Sequence, residues 1–327
     1  MKLLPFILLL VTASQLFAQK KELSILNNRF YITFPDSAKN VARASDIMGP
    51  GPNENKETRI IYDEGDKRLV FFARELNVKT VPAFADALKK ETTATNPLTL
   101  KEIYNSGAVK ILELTPGKFD NTKNAILISS LIIQNADSTL SRMDAFVNPS
   151  AFVEKTKFTE IVKQAFSTFR PGNRTINFHS HVDTLNIMGT TSKAQVKLPE
   201  NYIIQVDHGE DFEVFNVVKL SPYGSSDGQS MIIYFGFYPS ALAKEYQMEN
   251  FKQPDTNNDF MLHSSKWNNY YDKEHNFALR EQIFQDDEIE NGMKVHIALT
   301  SNNPKAIEEL SGIVKNLVIM YGPSPAK

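Results

Sequence analysis

The 327-residue chain contains no cysteine. That excludes disulfides, thiol nucleophiles, cysteine-ligated zinc and the acylated cysteine of a lipoprotein, so packing alone has to hold the fold. Charge of one sign is also lacking: 36 Lys and Arg stand against 38 Asp and Glu, a formal charge of −2. A nucleic acid or an anionic membrane therefore has no electrostatic footprint to read. Beyond the first residues there is no long apolar run. The best stretch, Ala125 to Ile133, is broken by Ser129 and Ser130, whereas a membrane-crossing helix needs about 20 apolar residues. No transmembrane segment is expected.

The first residues do carry a signal. Lys2 precedes the apolar stretch Leu3 to Val11, and Leu16-Phe17-Ala18-Gln19 supplies a small residue at a cutting point. This is the layout of a secretory signal peptide. Residues 1–18 are expected to be removed after Ala18, leaving an exported protein of the periplasm or extracellular space. With 42% hydrophobic residues there is enough apolar material for one or two ordinary cores.

Two domains are the default for this length, and the turn cluster Arg170-Pro171-Gly172-Asn173 marks the division. The expected domains are 19–172 and 173–322, with 323–327 as a tail. Each half reads in the same order. Phe30 to Pro35 and Ala194 to Pro199 are alternating strands that stop on proline. Hairpins follow, Arg59–Tyr62 with Arg68–Phe72, and Phe215–Leu220 with Met231–Phe235. Short helices are expected from Val81-Pro82, carrying Phe84 and Leu88, and from Pro239-Ser240, carrying Leu242 and Tyr246. Ala125 to Gln134 and Met293 to Thr300 read as the buried closing strands. Asn148-Pro149 and Asn303-Pro304 then suit an N-cap with proline at the first helical position. Amphipathic helices follow, with Phe158, Ile161, Val162 and Phe166 on one, and Ile307, Leu310, Ile313 and Val314 on the other. Val109 to Leu114 reads as an extra strand in the first half, and Gln253 to Asn276 as a longer polar insertion in the second. The expected fold class is α+β: two tandem repeats, each a mainly antiparallel sheet flanked by helices.

This order of elements, carried by Phe30–Pro35 and Ala194–Pro199 at the front and by Asn148–Phe169 and Asn303–Leu317 at the back, resembles the PsbP-like and Mog1-like sandwich domains. The resemblance implies an assembly, accessory or binding module without a shared set of catalytic residues, so no functional residue carries over from it. The tandem duplication and the Gln253 to Asn276 stretch depart from that family's pattern.

Among local motifs, His179-Ser180-His181-Val182-Asp183 matches the front of the zinc motif of metallo-β-lactamase-like hydrolases. Alternate strand residues share a face, so His179, His181 and Asp183 are a candidate zinc site. The continuation departs from the motif, with Thr184 where a histidine is needed, and the competing reading is polar residues on a solvent-facing strand. Gly224 to Gly228 spells Gly-x-Ser-x-Gly, but a strand follows where a nucleophile elbow needs a helix, so it reads as a turn. Trp267, Tyr270 and Tyr271, with Lys266 and Lys273 nearby, are the candidate binding surface for a protein, small-molecule or glycan ligand. Their i, i+3, i+4 spacing equally suits a helix packing on its own domain. Asp286-Asp287-Glu288 with Glu290 reads as a solvated turn rather than a calcium loop. Gly49-Pro50-Gly51-Pro52 reads as a flexible connection.

These readings favour an exported, non-enzymatic binding or accessory module with no cofactor. The alternatives are a zinc-dependent hydrolase using His179, His181 and Asp183, and a structural subunit of a cell-envelope complex.

Overall fold

Alternation of apolar and polar residues makes β-strands wherever one face can be buried. In β2 (Phe30–Pro35) the side chains of Phe30, Ile32 and Phe34 are buried, while Tyr31 and Thr33 remain partly open. The structure is a computed structural model describing residues 20–40, 57–80, 84, 86, 88–89, 98–120, 123–208, 212–223, 228–260, 263–289 and 292–322. The expected signal peptide, the Gly49–Pro52 connection, Gly224 to Asp227, Glu290 and the tail lie outside the described residues. So do 81–83, 85 and 87 of the first short helix, whose Phe84 and Leu88 are buried.

The described residues fall into two compact units, 20–40, 57–76 and 86–175 in unit 1, and 77–84 and 176–322 in unit 2. Both are rich in antiparallel strands with fewer helices, an α+β architecture. Among the described residues no helix is long and apolar enough to cross a membrane.

Unit 1 runs β1 (Lys20–Ile25), β2, β3 (Lys39–Asn40), β4 (Glu57–Glu64), β5 (Lys67–Lys79, whose last three residues group with unit 2), β6 (Leu98–Asn105), β7 (Lys110–Pro116), β8 (Ile126–Gln134) and β9 (Thr139–Val147). It closes with the helices α1 (Pro149–Phe152) and α2 (Lys155–Ser167) and the short β10 (Arg170–Pro171). The large sheet is ordered β3-β4-β5-β9-β8-β7-β6, and a small sheet is ordered β1-β2-β10. The core lies where α2 and the small sheet meet the large one. Phe158, Val162 and Phe166 of α2 pack with Phe30 and Phe34 of β2 and with Ile60, Phe71 and Ala145. Asn148 caps α1, its side chain accepting from the Ala151 N–H at 3.0 Å, and Pro149 fills the first turn.

Unit 2 runs β11 (His181–Asn186), β12 (Lys193–Leu198), β13 (Tyr202–His208), β14 (Phe212–Lys219), β15 (Ser221–Pro222), β16 (Gln229–Gly236), α3 (Leu242–Glu245), β17 (Lys252–Phe260), β18 (His263–Asp272), β19 (Phe277–Gln285), β20 (Lys294–Ser301), α4 (Pro304–Val314) and β21 (Val318–Met320). Its large sheet is ordered β13-β14-β16-β20-β19-β18-β17 and its small sheet β11-β12-β21. Leu310, Ile313 and Val314 of α4 pack on Phe215, Ile233, Val295 and Ile297. A second cluster holds Leu242 and Ala243 of α3 with Met248, Leu279 and Ala298.

Three expectations change. Ala125 to Gln134 is not the closing strand of its half: β9 follows it and leads into Asn148. The polar residues of β9 hid it: Ser141, Arg142 and Asp144 break the apolar pattern, and each has a side-chain partner. Gln253 to Asn276 is no excursion from the sheet but its edge hairpin, β17 with β18. Likewise Val109 to Leu114 is an integral strand, β7, paired on both sides.

Candidate functional site

The zinc candidates come from a bend and the edge strand that follows it. His181 and Asp183 alternate onto one side of β11, with the His181 Nε2 3.2 Å from the Asp183 Oδ2. His179 precedes the strand, and it meets His181 through its backbone, whose carbonyl oxygen is 2.6 Å from the His181 Nδ1. The His179 ring lies beside Phe178, at 5.3 Å between centroids. Both nitrogens of His181 thus face oxygen atoms of the chain itself. Among the described residues no group of three or more His, Asp or Glu side chains is placed to hold a metal ion.

Trp267, Tyr270 and Tyr271 lie on strand β18, not on a helix. Strand residues alternate faces, so Trp267 and Tyr271 fall on one face and Tyr270 on the other. Trp267 is only 3% exposed within the unit 2 core, and Tyr271 packs against that same core. Tyr270 packs against the cluster of Leu242, Ala243 and Met248. Of the acidic run, Asp287 and Glu288 are exposed in a turn, and only Asp286 departs from a solvated turn. Asp286 is fully buried, accepting from the Tyr321 hydroxyl at 3.0 Å and from the Glu288 N–H at 3.0 Å. Burial and the neighbouring Asp286 carboxylate push the Tyr321 phenol up.

Concave surface occurs elsewhere. In unit 1 a cleft of about 470 Å³ lies between β2 and α2, with the end of β4 at its side. Phe34, Pro35, Ile161 and Ala165 give it an apolar lining, and Lys20, Tyr62, Glu64, Lys157, Glu160 and Gln164 bring the polar groups. The Lys157 ammonium donates to Glu64, tying α2 to the sheet, and the Tyr62 hydroxyl donates to the same carboxylate at 3.2 Å. The hydrogen bond from Lys157 holds the Glu64 carboxyl below its usual range and its own ammonium above. Burial and the Glu64 charge push the Tyr62 phenol up. Glu160 is occupied by Lys163 at 2.9 Å.

Unit 2 has a cleft of about 290 Å³ lined by Ser180, Lys197, Pro199, Glu309, Gly312, Ile313 and Asn316, that is, by the end of β12 and by α4 with the residues after it. Glu309 is tied to the sheet by Lys219 at 2.8 Å. Burial, with the Glu309 charge second, pushes the neighbouring Tyr202 phenol up.

Such concavities, apolar with a few placed charges, have the make-up of small-molecule sites. Neither cleft is legible in the sequence, because each lining joins distant segments, residues 20–64 with 157–168 in unit 1 and residues 180–199 with 309–316 in unit 2. The strand-stopping Pro35 and Pro199 and the apolar Ile161 and Ile313 were its visible fragments.

No protein-family model matches the chain, and no curated protein matches it. Two solved structures are similar. A cyanobacterial PsbP from Synechocystis is 12% identical, with 47% of this chain and 93% of that chain covered and a TM-score of 0.28. The Tle4–Tli4 complex is 12% identical, with 91% of this chain and 97% of that chain covered and a TM-score of 0.25.

Proposed function

We propose that this is an exported, non-enzymatic binding module, built from two copies of one PsbP-like or Mog1-like sandwich unit, and that its contact surface is the cleft beside the terminal helix. The observation that carries the reading is the unit 1 cleft, whose 470 Å³ falls in the range of small-molecule sites, about 300–1,000 Å³.

Duplication is supported by position. The large sheets share one order, in which the third strand is followed by the last and the rest return toward the edge. Setting Ile161 against Ile313 aligns Lys157 with Glu309, Glu160 with Gly312 and Gln164 with Asn316. Setting Pro35 against Pro199 aligns Thr33 with Lys197. All of these line the two clefts. The helix-to-sheet ion pair also recurs between matching places with its polarity reversed: Glu64 at the end of β4 holds Lys157, and Lys219 at the end of β14 holds Glu309. A pair that survives an exchange of charges points to a contact kept through divergence rather than to chance.

A fragment screen read by NMR tests the function. Hits should cluster at Phe34, Tyr62 and Ile161 and be lost in Gln164→Trp, which puts bulk on the rim from an exposed position. Hits that ignore this variant would remove the cleft from consideration. Zinc held at unit stoichiometry through dialysis, and lost in His181→Ala, would replace the reading with a metal-dependent hydrolase.

A further inference from the structure

We infer that the unit 1 cleft takes a single-chain amphipathic anion, with its apolar tail along Phe34, Ile161 and Ala165 and its acidic group at Lys20. The inference rests on the binding reading above and names the ligand class for that site.

The argument is one of occupied and unoccupied charge. Within the cleft lining Glu64 is held by Lys157 and Glu160 by Lys163. Among the described residues Lys20 makes no ion pair, and it stands exposed at the mouth, opposite Pro35 in the β1–β2 register. An incoming cation would meet carboxylates already neutralised and an ammonium that repels it. An incoming carboxylate meets a free ammonium and displaces nothing. The apolar lining then sorts anions by length: each methylene withdrawn from water contributes about 0.8 kcal/mol, close to a fourfold gain in affinity.

The smaller unit 2 cleft also carries a lysine, at a different place in the repeat, since Lys197 stands where unit 1 has Thr33. Its helix-to-sheet pair, Lys219 with Glu309, is closed, and Lys197 at its mouth makes no ion pair among the described residues. In both units, then, a lysine with no ion pair among the described residues stands beside an apolar wall, on the first strand of the small sheet in unit 1 and on the second in unit 2. The difference in volume, 470 against 290 Å³, assigns the longer chain to unit 1.

The test is an NMR titration of the full chain with n-alkyl carboxylates of six to ten carbons, kept below micelle formation, alongside n-alkylammonium ions of equal length. The amide signals of Phe34, Tyr62 and Ile161 report on unit 1. Affinity for the carboxylates should climb about fourfold per added carbon. In Lys20→Glu it should fall by about three- to tenfold, the scale of an exposed ion pair turned repulsive, while the alkylammonium ions gain. Lys20 is exposed, so this variant folds, and Gln164→Trp should abolish both series at these signals. If alkylammonium ions match the carboxylates, or Lys20→Glu leaves the carboxylates unchanged, the anion assignment is wrong and the binding reading stands. If no probe of either charge moves these signals, the anion assignment falls and the cleft reading falls with it.

Discussion

Glu281 and His296 face each other across neighbouring strands, with the carboxylate Oε2 3.0 Å from the imidazole Nε2 and both side chains at most 4% exposed. The same carboxylate accepts from the backbone N–H groups of Leu242 and Ala243, at 2.9 and 3.2 Å, and so pins the start of α3 to the sheet. Burial by itself raises this carboxyl. The hydrogen bonds from His296, Leu242 and Ala243 outweigh it, and the pKa lies below the usual value. Glu281→Ala strands His296 and two backbone donors, and should destabilise unit 2 by about 3–5 kcal/mol. A depressed carboxyl stabilises fully above its unfolded pKa, near 4.3, and that contribution is lost as pH falls through the lower folded value. Urea titrations at several pH values should therefore show the gap between wild type and variant narrowing in acid. An unchanged gap down to pH 2 would remove the ionised carboxylate from the account.

Unit 1 is locked by a denser set of buried charges. Glu75 accepts from Arg29 at 2.9 Å, from Arg174 at 3.1 Å and from the Ser141 hydroxyl at 2.8 Å, while Arg29 also meets Asp137 at 2.6 Å. This joins the turn after β1, strands β5 and β9, and the residues that follow β10. Glu75→Ala leaves two guanidinium groups poorly matched and should cost about 3–5 kcal/mol in chemical denaturation. The exposed Glu22–Arg170 pair, at 2.8 Å, gives the contrast. Added salt should erase the effect of Glu22→Ala and leave that of Glu75→Ala in place, since screening acts on exposed charges. Equal salt sensitivity in both would count against the buried network.

Why the sequence disclosed part of this and not the rest follows from what alternation can report. Phe30–Pro35, both hairpins and the two Asn-Pro helix starts are periodic or punctuated, and the structure has them. Ser141 and Asp144 of β9 are buried and polar, so hydrophobic period hides them, and their partners are 66 and 14 residues away. At Trp267, Tyr270 and Tyr271 one spacing fits a helix, whereas a strand splits it between faces, and pairing with β17 and β19 decided the matter. Asp286 read as solvated because nothing local announces the Tyr321 hydroxyl 35 residues on. Of the cleft, only the isolated prolines and isoleucines were legible.

The reversed ion pairs make duplication testable by charge exchange. Glu64→Lys alone sets two lysines together, and Lys157→Glu alone sets two glutamates together. Each should destabilise unit 1 by roughly 0.5 kcal/mol, a small figure because both side chains are 40% or more exposed and solvent screens them. The double variant writes the polarity of Lys219 and Glu309 into unit 1 and should recover wild-type stability. A double-mutant cycle read by urea denaturation gives the coupling directly. If the double variant is as unstable as the sum of the singles, the two positions do not form the exchangeable contact that the repeat requires.

The turn after β18 carries a titration visible in near-neutral solution. The Asp272 Oδ2 is 2.6 Å from the His275 Nδ1, and Asp272 also accepts from the Glu274 and His275 N–H groups, at 2.9 and 3.2 Å. The hydrogen bond to Asp272 raises His275 above the ordinary histidine value, and the hydrogen bond from His275 lowers the Asp272 carboxyl. The histidine contribution is complete below about pH 6.5 and disappears as pH rises through the raised value. The aspartate contribution is complete above about pH 3.9 and disappears as pH falls through the lowered one. The turn is thus held best between about pH 4 and 6.5. An NMR titration should place the His275 ring above about 6.5, and Asp272→Asn should bring it back to that value. A ring that titrates alike in both proteins would mean that the carboxylate does not hold it in solution.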